Sequence, residues 1–346
     1  MNFAFLLDRD FNSVFILFVI KMAEKIAVIG VGGWGQNHAR VVAILRSIDL
    51  IKDVVVMDIN EKRAKLIAKL YGHSWTTNFD NVLHDEDIDG VIISSPTKIH
   101  YIQTKQALEA GKHVLVEKPM TETFSQAKEL VEIARENNRI LMTGFLLRYS
   151  PAVQFVKKMY TENKLGHVLV VYSKRTNPWP ARKYDVGVVR DLAIHDIDLS
   201  RFIFSAKPKK AFAYGGKLKH DYEDFANIFL EFISKNNDIF QTIIETSWVT
   251  PYKFRRLEIT TTECVVSLDL VEHTVTIFRS TGIFTPRLEK KEPLLEEDKN
   301  FVLAIDGKEK PLVTGEDGAI ALMVCEKILS SMETKDVVTI PEINFL

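Results

Sequence analysis

The chain has 346 residues, with 45 Lys and Arg against 46 Asp and Glu and a formal net charge of -1. That length exceeds the usual single core and predicts about two domains, while the balanced charge gives no reason to expect nucleic acid as a partner. A small-molecule substrate is expected. The two cysteines, Cys264 and Cys325, lie far apart and outside any metal-ligand or redox spacing, which fits a reducing cytoplasm.

In chain order, the apolar run Phe11 to Ile20 is too short to span a membrane. Residues 1–21 also lack the basic amino end and small-residue cleavage site of a signal peptide. The reading is an over-extended start or a disordered arm, with Met22 as the true beginning. From Lys25 to Gly144, short β-branched runs alternate with helical stretches, the pattern of βαβ units in a parallel sheet. The strands are Ile26 to Ile29, Val54 to Met57, Val91 to Ser94, Val114 to Val116 and Ile140 to Thr143, nearly all apolar as burial on both faces demands. Arg40 to Ser47, Glu61 to Leu70, His100 to Ala110 and Ser125 to Asn137 supply the crossovers, and Gly111 sits where a helix-ending left-handed residue is expected.

After Tyr149 the texture changes. Pro151 opens a helix to about Thr161, Leu169 to Lys174 is a strand, and a loop rich in Pro, Trp and Arg precedes a helix around Asp191 to Phe204. Period-two segments at Phe225 to Ile233, Ile239 to Trp248, Leu257 to Thr262 and Val265 to Leu270 predict an antiparallel sheet. One face of it needs cover from its own helices or from a second subunit. A last helix runs from about Gly318 to Ser331.

Gly30-Val-Gly-Gly-Trp-Gly35 joins the first strand to the first helix, the context of a dinucleotide fingerprint. Gly30 permits the tight turn, Gly32 and Gly33 let backbone N–H groups approach a pyrophosphate beside Trp34, and Gly35 lets helix and strand pack closely. A structural turn, a flavin or another nucleotide would also fit. Asp58 ends the second strand where a carboxylate accepts from an adenosine ribose and repels a 2′-phosphate, so NAD is expected over NADP. Its competing reading is a turn or a cap before Glu61. Ser94, Ser95, Pro96, Thr97 and His100 would lie over the cofactor from the other side, unless they are ordinary turn residues and Thr97 a cap.

Lys112 to Met120 carries Glu117 and Lys118 from a strand into Pro119, at the carboxyl end where ligands of open parallel sheets collect. A solvated strand end is the plain alternative. Asp191 and His195 are four residues apart, one turn on a helix, which suits a base and its partner. A satisfied core histidine or a metal ligated by His195 with Asp191 or Asp198 would use the same residues.

In order and spacing, Gly30 to Gly35, Glu117-Lys118-Pro119 and Asp191 to His195 resemble the Gfo/Idh/MocA family of nicotinamide-dependent sugar oxidoreductases. The resemblance covers nearly everything after Met22 and extends to Thr314-Gly-Glu-Asp-Gly318. It implies an N-terminal Rossmann doubly wound parallel sheet in residues 22–144. Residues 145–314 would form an α+β substrate domain with a largely antiparallel open sheet that often forms a homodimer or homotetramer interface. Residues 315–346 would return as a helix and tail toward the first domain. Carried over, Lys118, Asp191 and His195 are catalytic: His195 takes the hydroxyl proton as hydride leaves for the nicotinamide, Lys118 stabilises the alkoxide, and Asp191 orients His195 or binds a neighbouring hydroxyl. The Lys118-Pro119 bond is a candidate for cis geometry.

Arg148, Tyr149, Asn177, Trp179, Arg182 and Tyr184 join these three as expected substrate contacts, through stacking and forked hydrogen bonds. Solvated arginines and a tryptophan packing plug are the alternatives. Residues 177–191 with His195 resemble members that oxidise the 3-hydroxyl of UDP-N-acetylglucosamine; inositol and free-aldose dehydrogenases keep the same trio. A non-catalytic NAD-binding sensor is the reading of another class. No metal is expected.

Overall fold

The computed structural model describes residue 23 and residues 25–179 and 185–345. The expected arm at 1–21, Met22, Arg182 and Tyr184 lie outside the described residues.

Six parallel strands form the first sheet in the order β3-β2-β1-β4-β5-β6 among the described residues: β1 (Lys25–Ile29), β2 (Asp53–Met57), β3 (Ser74–Thr76), β4 (Ile88–Ile93), β5 (His113–Val116) and β6 (Leu141–Thr143). The apolar runs are strands because both faces are covered. On one side pack α1 (Gly35–Ser47) and α2 (Glu61–Tyr71), and on the other α4 (Thr97–Glu109) and α5 (Phe124–Glu136), with the short α3 (Asp80–Leu83) before β4. Gly111 takes φ +77° just past α4, as its helix-ending position requires.

The second sheet is β14-β13-β12-β11-β7-β10-β9-β8-β15. α6 (Pro151–Thr161) leads into β7 (Val168–Thr176), and α7 (Ile194–Phe204) into β8 (Lys207–Gly216), β9 (Phe225–Ile233), β10 (Ile239–Ser247), β11 (Phe254–Thr261), β12 (Val265–Asp269), β13 (Thr274–Arg279) and β14 (Gly282–Phe284). All neighbours run antiparallel except β7 and β10 at the centre, which are parallel. α8 (Pro293–Ile305), which the sequence reading did not anticipate, leaves this sheet and packs on α1. α9 (Gly315–Thr334) lies against α5 and β6 as well as β8, before β15 (Val338–Thr339).

The Thr314-Gly-Glu-Asp-Gly318 motif has a packing cause. Thr314 and Asp317 form a capping box, and a Cβ on Gly318 would lie 2.1 Å from the Thr143 hydroxyl, so only glycine lets α9 sit this close to β6. Among the described residues, no helix is long and apolar enough to cross a membrane.

Candidate functional site

The sheet order reverses between β1 and β4, so their carboxyl ends open a crevice. The glycine turn and the Ser94–Thr97 loop meet there. Gly30 has φ +81°, and a Cβ on it would lie 2.9 Å from the Ser95 backbone; one on Gly35 would lie 1.9 Å from the Gly30 carbonyl oxygen. Neither position admits a side chain. Among the described residues, no side chain caps α1 and no acid stands in its first turn, which leaves its leading amides available to an anion. Asp58 is buried, its Oδ2 accepting the Val31 N–H at 3.1 Å and its Oδ1 the Asn60 N–H at 2.8 Å. The cap of α2 is Asn60, not Asp58, because the Asn60 side chain accepts the Arg63 N–H. The glycine cradle, uncapped helix end and fixed carboxylate fit a dinucleotide.

Glu117, an expected cofactor contact, is held by the protein's own groups. Its Oε1 accepts from Trp34 Nε1 at 2.7 Å and His38 Nε2 at 3.1 Å, and its Oε2 accepts its neighbour Lys118's N–H at 3.1 Å. The carboxylate is therefore taken up inside the protein and holds Trp34 and the Lys118 backbone in place. Behind it, His38 Nδ1 lies 2.9 and 3.0 Å from the two oxygens of Asp298 on α8. Burial opposes charge on His38, but Asp298 and Glu117 outweigh it and raise the imidazole well above its ordinary value. Next to Asp298, both oxygens of Glu297 are buried without a partner among the described residues, and burial followed by the Glu117 and Asp298 charges pushes its carboxyl well up.

His100, an expected cofactor contact, acts as a brace. Its ring nitrogens lie 2.9 Å from the Pro119 carbonyl and 2.8 Å from the Ser95 carbonyl, tying the loop after β4 to the loop after β5. Burial lowers its pKa, and a neutral ring donates to one carbonyl at a time. Ser94 closes on Ile29 through its N–H, Ser95 Oγ bonds Gln103, and α4 begins at Thr97 after Pro96 without a side-chain cap.

The Lys118-Pro119 peptide is cis. Lys118 Nζ reaches across to Asp191, 2.8 Å from Oδ1 and 2.9 Å from the main-chain oxygen. Among the described residues, Asp191 makes no hydrogen bond or ion pair to His195, contrary to the expected base-and-partner pair. The cause is local: Val189–Ala193 is a π-helical turn, with i→i+5 bonds, joined to α7 at Ile194. The widened turn takes residues four apart out of alignment. His195 instead stands near Phe145, with ring centroids 6.3 Å apart. Burial, then the charges of Lys118, Arg175 and Arg255, hold its imidazole well below the ordinary value of 6.5. A neutral imidazole beside an ammonium is equipped to take a proton and to shield the anion that forms.

Other expected contacts are engaged elsewhere. Arg148 is buried and bonds Asp198 through Nε and Nη2 and Asp317 through Nη1, the last at 2.8 Å, so it joins α7 to α9 and does not face the cleft. Asp198, the alternative partner of His195, is thereby occupied. Tyr149 donates its hydroxyl to Asn300 on α8 at 2.9 Å and is likewise internal. Asn177 follows β7 directly, its N–H bonded to the Ser247 carbonyl at 2.9 Å. Trp179 is partly exposed, with Lys219 Nζ 4.1 Å from its ring centroid and the His220 ring 5.6 Å away. Sequence reasoning missed His38, Glu297 and Asp298, because α8 was not anticipated and His38 meets Asp298 only across 260 positions.

Residues 24–145 match an oxidoreductase family with an NAD-binding Rossmann fold, Gfo/Idh/MocA, and residues 153–267 match that family's C-terminal domain. The chain belongs to the Gfo/Idh/MocA family. Its cofactor is accordingly NAD. It is 27% identical over 319 residues to UDP-N-acetylglucosamine 3-dehydrogenase of Acidithiobacillus ferrooxidans, covering 89% of this chain and 97% of that relative. With the myo-inositol 2-dehydrogenase of Thermotoga maritima the identity is 28% over 341 residues, covering 92% and 99%. A solved structure of the Acidithiobacillus enzyme matches at TM-score 0.80 with 26% identity, over 91% of this chain and 99% of that one. Levoglucosan dehydrogenase in complex with NADH shares the fold at TM-score 0.83 and 21% identity, over 92% and 100%.

Proposed function

We propose that the protein oxidises a hydroxyl of a sugar or nucleotide sugar with NAD, the 3-hydroxyl of UDP-N-acetylglucosamine being the leading candidate. The observation that carries this reading is the 2.8 Å contact of Lys118 with Asp191 beside a neutral His195, at the edge of the dinucleotide crevice. NAD when bound supplies the hydride acceptor. His195 takes the hydroxyl proton at an imidazole nitrogen, Lys118 Nζ stabilises the developing alkoxide, and Asp191 positions Lys118. The UDP-N-acetylglucosamine dehydrogenase among the relatives supports the substrate. The inositol dehydrogenases at similar identity support cyclitols or free aldoses as the second reading.

NADH formation from a panel of nucleotide sugars, aldoses, inositols and sugar acids tests both. His195→Ala should lower kcat by about 10²–10⁴ while NAD still binds. Turnover that survives the substitution would remove His195 from the mechanism, and no turnover from any sugar would favour a sensor.

The uncovered face of the second sheet supports self-association. Register places Phe212, Phe229, Ile243 and Tyr172 side by side across β8, β9, β10 and β7, with Tyr172 48% exposed. Such a row favours a second copy as cover. Both described cysteines are buried free thiols, which supports a cytoplasmic setting.

A further inference from the structure

The turn that carries Asp191 begins with two amides that it cannot satisfy from within. Val188 stands at the N-cap of the π-helical turn Val189–Ala193 and offers no side-chain acceptor. The first N–H groups of a helical segment lack an acceptor in the segment itself. Here both are met from the connection between β8 and β9. The Glu223 main-chain oxygen accepts the Val188 N–H at 3.0 Å, and Glu223 Oε1 accepts the Val189 N–H at 3.1 Å.

Glu223 is itself held in place. It is buried, and so is its neighbour Asp224, whose Oδ2 accepts the N–H groups of Leu218, Lys219 and His220 at 2.6, 2.8 and 3.2 Å. The Asp224 N–H bonds the Gly216 carbonyl at 2.8 Å, and its carbonyl accepts the Trp248 N–H at 2.9 Å, which pins the connection to β8 and to the residue after β10. Gly187 gives the carboxylate its room: a Cβ there would lie 2.2 Å from the Glu223 carboxyl carbon and would push it off the turn. The Gly187 carbonyl in turn accepts the Asp191 N–H at 2.9 Å. A continuous path therefore runs from Glu223 through the head of the turn to Asp191, and from Asp191 Oδ1 to Lys118 Nζ at 2.8 Å. Burial raises the Glu223 carboxyl, so the turn draws on its acceptor oxygen more than on its charge.

We propose that Glu223 is a positioning residue for the cleft: by capping the π-helical turn it fixes where the turn begins and so where Asp191 meets Lys118. This rests on the reading in which Lys118, Asp191 and His195 act on a sugar hydroxyl, and adds to that set a residue that works through Asp191.

Two substitutions separate reach from charge. Glu223→Gln keeps the reach and the acceptor oxygen, whereas Glu223→Asp keeps the charge and is one methylene short. The first readout needs no substrate: acylation of Lys118 by acetic anhydride in the full chain, followed by peptide mass spectrometry, reports whether Asp191 still holds Nζ. Buried Lys112 is the reference for unfolding. Glu223→Asp should speed the reaction of Lys118 about tenfold, as loss of one hydrogen-bonded contact does, with Lys112 unchanged and Glu223→Gln like the wild type. Equal Lys118 rates in the wild type and Glu223→Asp, or in the two variants, would overturn the proposal. Should Glu223→Asp not fold, Gly187→Ala displaces the same carboxylate and should have the same effect. The second readout is NADH formation from UDP-N-acetylglucosamine or myo-inositol. Glu223→Asp should lower kcat about tenfold with NAD affinity unchanged, and lower it no further in an Asp191→Ala background. An unchanged kcat, or losses that multiply in that background, would overturn the positioning role. Faster Lys118 acylation with no NADH from either sugar would sink the oxidation reading alone.

Discussion

The two sides of the cleft are finished to different degrees. On the cofactor side, Glu117, Asp58 and His100 spend their polar atoms on neighbours within the protein, so the crevice is rigid before anything enters it. On the substrate side, the Arg175 Nη1 and the Thr246 hydroxyl are buried without partners among the described residues, and His195 is held neutral among cations. The contrast separates a side whose polar groups are matched within the protein from one that leaves two buried polar groups unmatched. Preorganised dipoles need no rearrangement during reaction, whereas unmatched donors favour only the ligand that pairs with them.

The strongest way to break the comparison is to loosen the finished side. Asp298→Ala leaves the His38–Glu117 pair without its second anchor and should cost about 3–5 kcal/mol of stability, as removal of one member of a buried ionic network does. Chemical denaturation measures this, and a loss under 1 kcal/mol would show that the network is not rigidifying the crevice. A smaller effect is expected at Asp58, whose Oδ2 lies 3.1 Å from Arg63 Nη1. Asp58→Ala frees that guanidinium for a 2′-phosphate and should shift preference toward NADP by about tenfold or more. An unaltered ratio of the two cofactors' kcat/KM would remove Asp58 from cofactor choice.

Acidity probes the substrate side. An ordinary imidazole would lose most of its base form by pH ~5.5. His195 is depressed below 6.5, so it stays unprotonated there and the acid limb of kcat/KM should lie below 6.5. A limb centred at 6.5 would contradict the half-buried, cation-flanked imidazole. The smallest effect concerns Glu297, whose folded value is raised above 4.5. Stability that it contributes below pH 4.5 is lost as pH rises toward the folded value. Glu297→Gln removes that slope, so the variant should gain stability on the wild type as pH rises above 4.5. Parallel stability curves would mean that the carboxyl is already ionised when folded.

The sequence exposed what depends on neighbours along the chain. β1, β2, β4, β5 and β6 were legible because burial on both faces enforces continuous apolar runs, and the glycine turn because φ at Gly30 admits little else. Lys118, Asp191 and His195 were legible as residue types at fixed places. Their pairing was not, because a period of 3.6 was assumed across Val189–Ala193, where the chain widens. Asp298 meets His38 across 260 positions, and the row of Thr246 on β10, Arg175 on β7 and Arg255 on β11 exists only through strand register, which local patterns do not encode. Arg148 and Tyr149 misled for the converse reason: a polar residue near a domain junction is as readily a rivet as a ligand.

The π-helical turn also works as a phase shifter. Each residue in an α-helix advances about 100°. Deleting one residue from Val189–Ala193 would restore regular winding while rotating whatever precedes it by roughly that angle relative to α7. Asp191 would swing off Lys118 with its composition and neighbourhood otherwise unchanged. The length of this turn is thus a timing element, and it should tolerate exchange of side chains far better than the gain or loss of a single residue.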